Sequence, residues 1–264
     1  MDWIAMSAAA VAVLAALLAG FMELGFRIGR RARARDGAAV DGGLGVIEGA
    51  VFALLGLLIA FTFSGAAERF NDRRALIAEE ANAIGTAWLR LDLLAPHERD
   101  DLRATFRAYL DERIEATRGG DADPGAFGAE SRTQALQQRL WTQAVAAVQA
   151  SGQPTLAANV LGPINDMIDI TTTRRMERMM HPHPVVFIAL VLTAVLSALL
   201  AGHARGLVGG RSPLHAAVFV LVIGGTVYAI LELEYPRFGV VRIDSADVVL
   251  LELRESMAAP DAMR

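Results

Sequence analysis

Apolar residues fall along this chain in two ways, as long uninterrupted runs and as spaced repeats. The uncharged runs are Trp3 to Met22, Gly49 to Ala67, Pro184 to Gly202 and Ser212 to Leu231. Each supplies close to the ~20 residues an α-helix needs to cross ~30 Å of hydrocarbon. In lipid only a helix or a closed barrel satisfies its own backbone, and these runs lack the alternation of barrel strands. Four transmembrane helices are therefore predicted. A secretory signal at Trp3 is disfavoured, because no basic segment leads the first run and its positive charges follow it.

Between the second and third runs the apolar residues recur at helical spacing. Phe70, Ile77, Ile84 and Leu91 return every seven residues, and Arg74, Ala81 and Trp88 occupy the alternate seam, so the second membrane helix is expected to continue unbroken beyond the lipid. Arg74 is the one polar intruder. A further helix starts after Pro96, carries Leu102, Phe106, Tyr109, Leu110 and Ile114, and stops at Gly119 and Gly120. Gly119 to Glu130 reads as loop. Ser131 is expected to cap the next helix, with Leu136, Leu140, Val145 and Val148 on one side and Ser151, Gly152 and Pro154 ending it. A last polar helix runs from Thr155 to about Met180, kinked at Pro163, and meets the third run through His181, Pro182, His183 and Pro184.

The expected fold class is all-α: a polytopic membrane protein with four transmembrane helices and a helical extramembrane domain inserted between helices 2 and 3. Its divisions are 1–67, two membrane helices with an Arg-rich loop; 68–183, the polar domain; 184–235, the other two membrane helices; and 236–264, a polar C-terminal tail.

Charge and composition narrow the chemistry. All 25 basic residues are Arg, so there is no lysine for a Schiff base or a phosphate loop, and the absence of Cys removes thiol nucleophiles, disulfides and thiolate metal sites. A net charge of -4 gives no nucleic-acid footprint. With no Ser, His and acid grouping, paired catalytic carboxylates or Gly-rich phosphate loop in view, the expectation is that this is no enzyme and needs neither cofactor nor metal.

Sidedness stays open. Arg27, Arg30, Arg31, Arg33 and Arg35, with Arg205 and Arg211, mark the two short loops as cytoplasmic. Arg69, Arg73, Arg74, Arg174, Arg175 and Arg178, at the edges of the polar domain, argue the reverse.

Three stretches resemble the bacterial bestrophin-like membrane proteins. They are the ERF at Glu68 to Phe70 with EANAIGT at Glu80 to Thr86, PINDMIDITTTRR at Pro163 to Arg175, and LELEYPRFGV at Leu231 to Val240. The resemblance implies a multi-pass protein of the bacterial inner membrane. True bestrophins are homo-oligomeric ion channels, pentameric where known, whose second membrane helix lines the pore and enters a helical intracellular region. By that comparison Ala53, Leu57 and Phe61, spaced by four, line an apolar neck, and the partners are the lipid bilayer, further copies of the chain and inorganic ions. The bestrophin layout places the polar domain in the cytoplasm. No acidic calcium clasp is present, so calcium gating is not implied.

An apolar neck can gate by dewetting, yet residues spaced by four also pack against neighbouring helices, so both readings of Ala53, Leu57 and Phe61 stand. Gly56 and Gly65 suit either. Glu48, at the start of the second helix, either rings a pore entrance or favours the positive helix end. Glu23 is four residues from Arg27 and reads as a local pair, His215 is a further ionisable group near lipid, and Glu232 and Glu234 mark the wet end of the fourth helix. His181 and His183 read as a hinge between prolines rather than a metal site, and Met176, Met179 and Met180 as packing. Asn82, Asn165 and Asp166 are expected to join polar helices, and Glu79 and Glu80 to form a surface network with Arg73 and Arg74. The alternative to a channel is a nonconducting scaffold or sensor acting through its polar domain, with Phe70, Ile77, Ile84 and Leu91 as the assembly seam.

Overall fold

The first apolar run does not end where its charges begin. In the computed structural model one helix, α1, spans Trp3–Asp36 and carries Arg27, Arg30, Arg31, Arg33 and Arg35 in helical turns rather than in a loop. The structure describes residues 3–36, 43–118, 124–209, 213–237 and 239–258, so Gly119, Gly120 and Arg211 lie outside the described residues. Next come α2 (Gly43–Arg90), a 3₁₀ turn at Leu91–Leu93, α3 (Pro96–Arg118), α4 (Pro124–Ser151) and a short α5 (Pro154–Leu156). A wide i→i+5 turn at Ala157–Leu161 leads into α6 (Gly162–Met179), followed by α7 (Pro184–Val208), α8 (Pro213–Glu234) and α9 (Asp244–Ala258). No strand occurs among the described residues. Among the described residues four helices are long and apolar enough to cross a membrane; α1, α2 and α7 contain the first three runs and α8 carries the fourth from Pro213 on, as the polytopic all-α reading requires.

Three local expectations change. Helix α4 starts at Pro124, not Ser131, so residues 124–130 are helix rather than loop. Proline suits a first helical turn, where its missing N–H has no intrahelical acceptor to serve. The irregularity expected at Pro163 falls just ahead of it as the wide turn, because Pro163 has no N–H to offer the Asn159 carbonyl. The C-terminal stretch, expected as a polar tail, holds the amphipathic helix α9, whose Leu250 and Met257 are buried.

The chain divides into two units, Met1–Phe70 with His181–Val241 and Asn71–Met180 with Arg242–Arg264. In the first, α1 and α7 touch backbone to backbone through Gly25 and Gly29 on one helix and Gly202 and Gly206 on the other. A Cβ on Gly25 would strike the Leu199 carbonyl oxygen, one on Gly29 that of His203, one on Gly202 that of Met22 and one on Gly206 that of Phe26. This is the small-xxx-small device by which helices associate in lipid, where no hydrophobic effect draws them together. Gly56, by contrast, has open space around it. Leu14, Leu18, Met22, Leu190, Ala194, Ala198, Ile223, Val227 and Ile230 fill the centre of the unit. Gly209 closes α7 at φ 86, a conformation that glycine adopts freely, and Arg33 donates to the Val208 carbonyl beside it.

The second unit has a water-excluded core built on Ile77, Ile84, Leu91, Leu102, Phe106, Leu110, Leu140, Ile164 and Met167. Each such side chain contributes about 2 kcal/mol by leaving water. Trp88 meets the Phe106 ring edge-on at 6.3 Å, with the Arg103 and Arg107 guanidinium carbons 5.1 and 5.2 Å from its ring centre. Helix α9 is fixed to α3 by Arg254, which donates to both Asp111 oxygens at 2.6 and 3.2 Å, and by Arg107, which donates to the Met257 carbonyl at 3.0 Å.

Replacing Gly202 by Leu should push α1 and α7 apart and cost about 3 kcal/mol, read as a lower melting temperature in detergent. Gly20→Ala, with nothing within 4 Å of the added carbon, should leave that temperature unchanged or slightly higher. Equal effects of the two substitutions would refute the close-contact account.

Candidate functional site

Helix α2 is the span least covered by its own protomer. Of its most apolar 18 residues 11% are buried, against 17–33% in the other three spans. One side is held: Leu55 and Ala66 lie in the core of the membrane unit, and Phe52 meets Phe219 edge-on at 6.3 Å. At ~100° per residue, Ala53, Leu57 and Phe61 keep within ~80° of one another on a different side. All three are exposed, Leu57 at 51% and Phe61 at 69%. None of the three is enclosed by the other three spans of the same protomer.

Glu48 does not join them. Nine residues before Leu57, it lies ~180° around the helix, where it lines a cavity of about 210 Å³ with Gly25, Ile28, Leu199, Leu200 and His203. It also falls beyond the first turn of α2, so it does not cap the positive end of the helix. Glu23 pairs with Arg27 at 2.9 Å as expected, and His215 is exposed at the rim of an apolar groove on α8.

Charges of the membrane unit gather where α2 and α8 leave their apolar stretches. The Glu234 side chain is wholly buried and is held by Arg69, which donates from Nε at 3.1 Å and Nη2 at 2.8 Å to Oε2. His181 Nδ1 lies 2.9 Å from Glu234 Oε1, and its ring stacks on Tyr235 at 4.9 Å. Glu232 is also buried: its Oε2 accepts from the backbone N–H groups of Val240 and Val241, and a Cβ on Gly239 would collide with it. Glu232 and Glu234 are therefore not a wet helix end, because cations and backbone donors have replaced their water. His181 is a partner of this cluster, and His183 Nδ1 accepts from Val185 N at 3.3 Å as it caps α7. Among the described residues no group of three or more His, Asp or Glu is placed to hold a metal.

The polar unit has a charge centre of its own. Glu80, fully buried, accepts from Arg113 Nε at 2.5 Å and Nη2 at 3.1 Å and from Arg174 Nη1. Gln137 donates to Thr171 Oγ1 at 3.0 Å. Burial pushes the Tyr109 phenol above its ordinary value of 10.0, against the lowering effect of Arg113 and Gln137. Glu80 thus belongs to the interior, not to a surface network with Arg73 and Arg74. Arg73 is buried and donates to the Met180 carbonyl at 3.1 Å, whereas Arg74, at the seam position, faces outward. Ile77, Ile84 and Leu91 are completely buried within the protomer and Phe70 is half-buried, so their stripe packs the protomer itself. Asn82 and Asp166 are exposed, Asn165 bonds within its own helix to Asp169 at 2.8 Å, and Met176, Met179 and Met180 are exposed rather than packed.

Neither charge centre follows from local spacing, because the partners lie 165, 33 and 94 residues apart along the chain. Each joins two of the stretches singled out in the sequence: ERF to LELEYPRFGV through Arg69 and Glu234, and EANAIGT to PINDMIDITTTRR through Glu80 and Arg174. Four apolar spans, a helical polar unit and these paired segments define a multi-pass membrane protein. A family model described as a Bestrophin-like domain matches residues 12–248, and the chain belongs to that bestrophin-like family. No curated protein and no solved structure matches the chain.

Glu80→Gln leaves two buried guanidinium groups facing each other without a counter-charge and should destabilise the protein by about 3–5 kcal/mol, measured by urea unfolding in detergent. Unchanged stability would show that the triad carries no weight. A phenol with a raised folded-state value stabilises fully below about pH 10, and that contribution is lost as pH rises through the folded value. The wild-type protein should therefore lose stability above pH 10 faster than Tyr109→Phe, in thermal melts taken across pH 8 to 11.

Proposed function

We propose that the protein is an oligomeric ion channel of the bacterial inner membrane, with α2 lining the pathway and Ala53, Leu57 and Phe61 forming an apolar neck. The observation that supports this reading is the exposed stripe: one side of α2 is held in the core of the membrane unit while the side bearing these three residues is exposed within the protomer. Copies of α2 set around an axis would present that stripe to a shared lumen, where an apolar constriction of small radius excludes water and so blocks ions until it widens. Family membership supports the same layout, and five copies is the number the bestrophin comparison suggests. The reading assigns no enzymatic step, cofactor or nucleic-acid partner; its partners are lipid, sister copies and inorganic ions.

A nonconducting scaffold assembled through Phe70, Ile77, Ile84 and Leu91 is less well supported, since three of these four are enclosed within the protomer. Purified protein in liposomes should pass ions, and Phe61→Ala should raise the flux several-fold by removing the bulkiest group of the neck. Failure of wild type and Phe61→Ala alike to conduct any common ion would reject the channel.

A further inference from the structure

We infer that Glu68 is the ion-selecting residue of this pathway and gives it a preference for inorganic cations over anions, an inference that rests on the α2-lined pore proposed above. The argument begins with position. Counted from Leu57 at ~100° per residue, Ser64 falls at about −20° and Glu68 at about +20°, so both continue the stripe of Ala53, Leu57 and Phe61. Ser64 and Glu68 are exposed, like the three residues before them. The stripe thus passes from apolar to hydroxyl to carboxylate within three turns.

Glu68 is the one carboxylate on the stripe within the apolar part of α2. From Gly43 to Glu68 the only ionisable residues of α2 are Glu48 and Glu68, and Glu48 is turned to the cavity against α1 and α7. The nearest cation, Arg69, is committed elsewhere: it leans back along Gly65, with Nη1 3.2 Å from where a Cβ would sit, and donates two bonds to the buried Glu234. One residue further on, it points ~100° away from Glu68. Burial of Glu234 therefore has a functional side, because Glu234 offsets the charge of Arg69, the cation that adjoins Glu68 in the chain. In an oligomer every copy adds one carboxylate at the same height, and a ring of like charges between low-dielectric walls concentrates counter-ions and repels co-ions.

The test is a reversal-potential measurement on protein reconstituted in planar bilayers under a KCl gradient. Wild type should reverse towards the potassium potential, Glu68→Gln should shift the reversal towards zero, and Glu68→Arg should carry it towards the chloride potential. Moving the carboxylate one turn along the stripe, in the double variant Ser64→Asp with Glu68→Gln, should restore the cation preference, and this variant serves also if Glu68→Arg fails to assemble. Conducting channels whose reversal potential ignores all of these changes would overturn the inference and leave the pore standing. A wild-type protein that conducts nothing would overturn both.

Discussion

Glu80 and Glu234 have been taken almost completely out of water, and each is compensated by groups from distant parts of the chain. An isolated carboxylate in such surroundings is so costly that its partners must be in place in the folded state. For Glu80 they come from α3 and α6, so one acid ties three helices of the polar unit together. For Glu234 they come from the end of the apolar part of α2 and from the segment that enters α7. An apolar core of the same size would tolerate sliding of one helix along another; a bidentate Arg–carboxylate pair does not, because its two parallel bonds fix both distance and angle. The charges act as registers for helices whose apolar faces alone would leave the register loose.

Around these registers the membrane unit uses a second kind of fit. Helices α1 and α7 approach so closely that carbonyl oxygens occupy the space a methyl group would need. Beside this pair, α2 is the span with the least cover, held along one side by Leu55, Ala66 and Phe52. A tight pair plus a loosely flanked third helix is what a subunit requires if that third helix is to meet its counterparts in other copies.

The elements were legible in the sequence to the extent that they depend on local pattern. Four uncharged runs of transmembrane length gave the spans, and the seven-residue recurrence of Ile77, Ile84 and Leu91 gave the continuation of α2. Gly25 and Gly29, like Gly202 and Gly206, were legible in principle, since a glycine pair four apart in a membrane helix is a packing signal. What could not be read was the fate of individual charges. Glu79 and Glu80 are neighbours, as are Arg73 and Arg74, yet in each pair one is buried and the other exposed; periodicity says which face a residue occupies only once the direction of the core is known. The stripe of Ala53, Leu57 and Phe61 was readable as a face, but whether sister spans covered it required coordinates. Helix α9 could not be read as a docked element because the surface it covers, on α3, lies some 140 residues earlier.

That late helix carries a consequence for biogenesis. The polar unit combines residues made before the third and fourth spans with residues made after them, so the ribosome must have passed both spans before Leu250 and Met257 can dock. Until then α3 waits with an open flank while two hydrophobic segments are being inserted. An even number of insertions is obligatory at that stage, since a single one would strand α9 across the bilayer from the surface it completes.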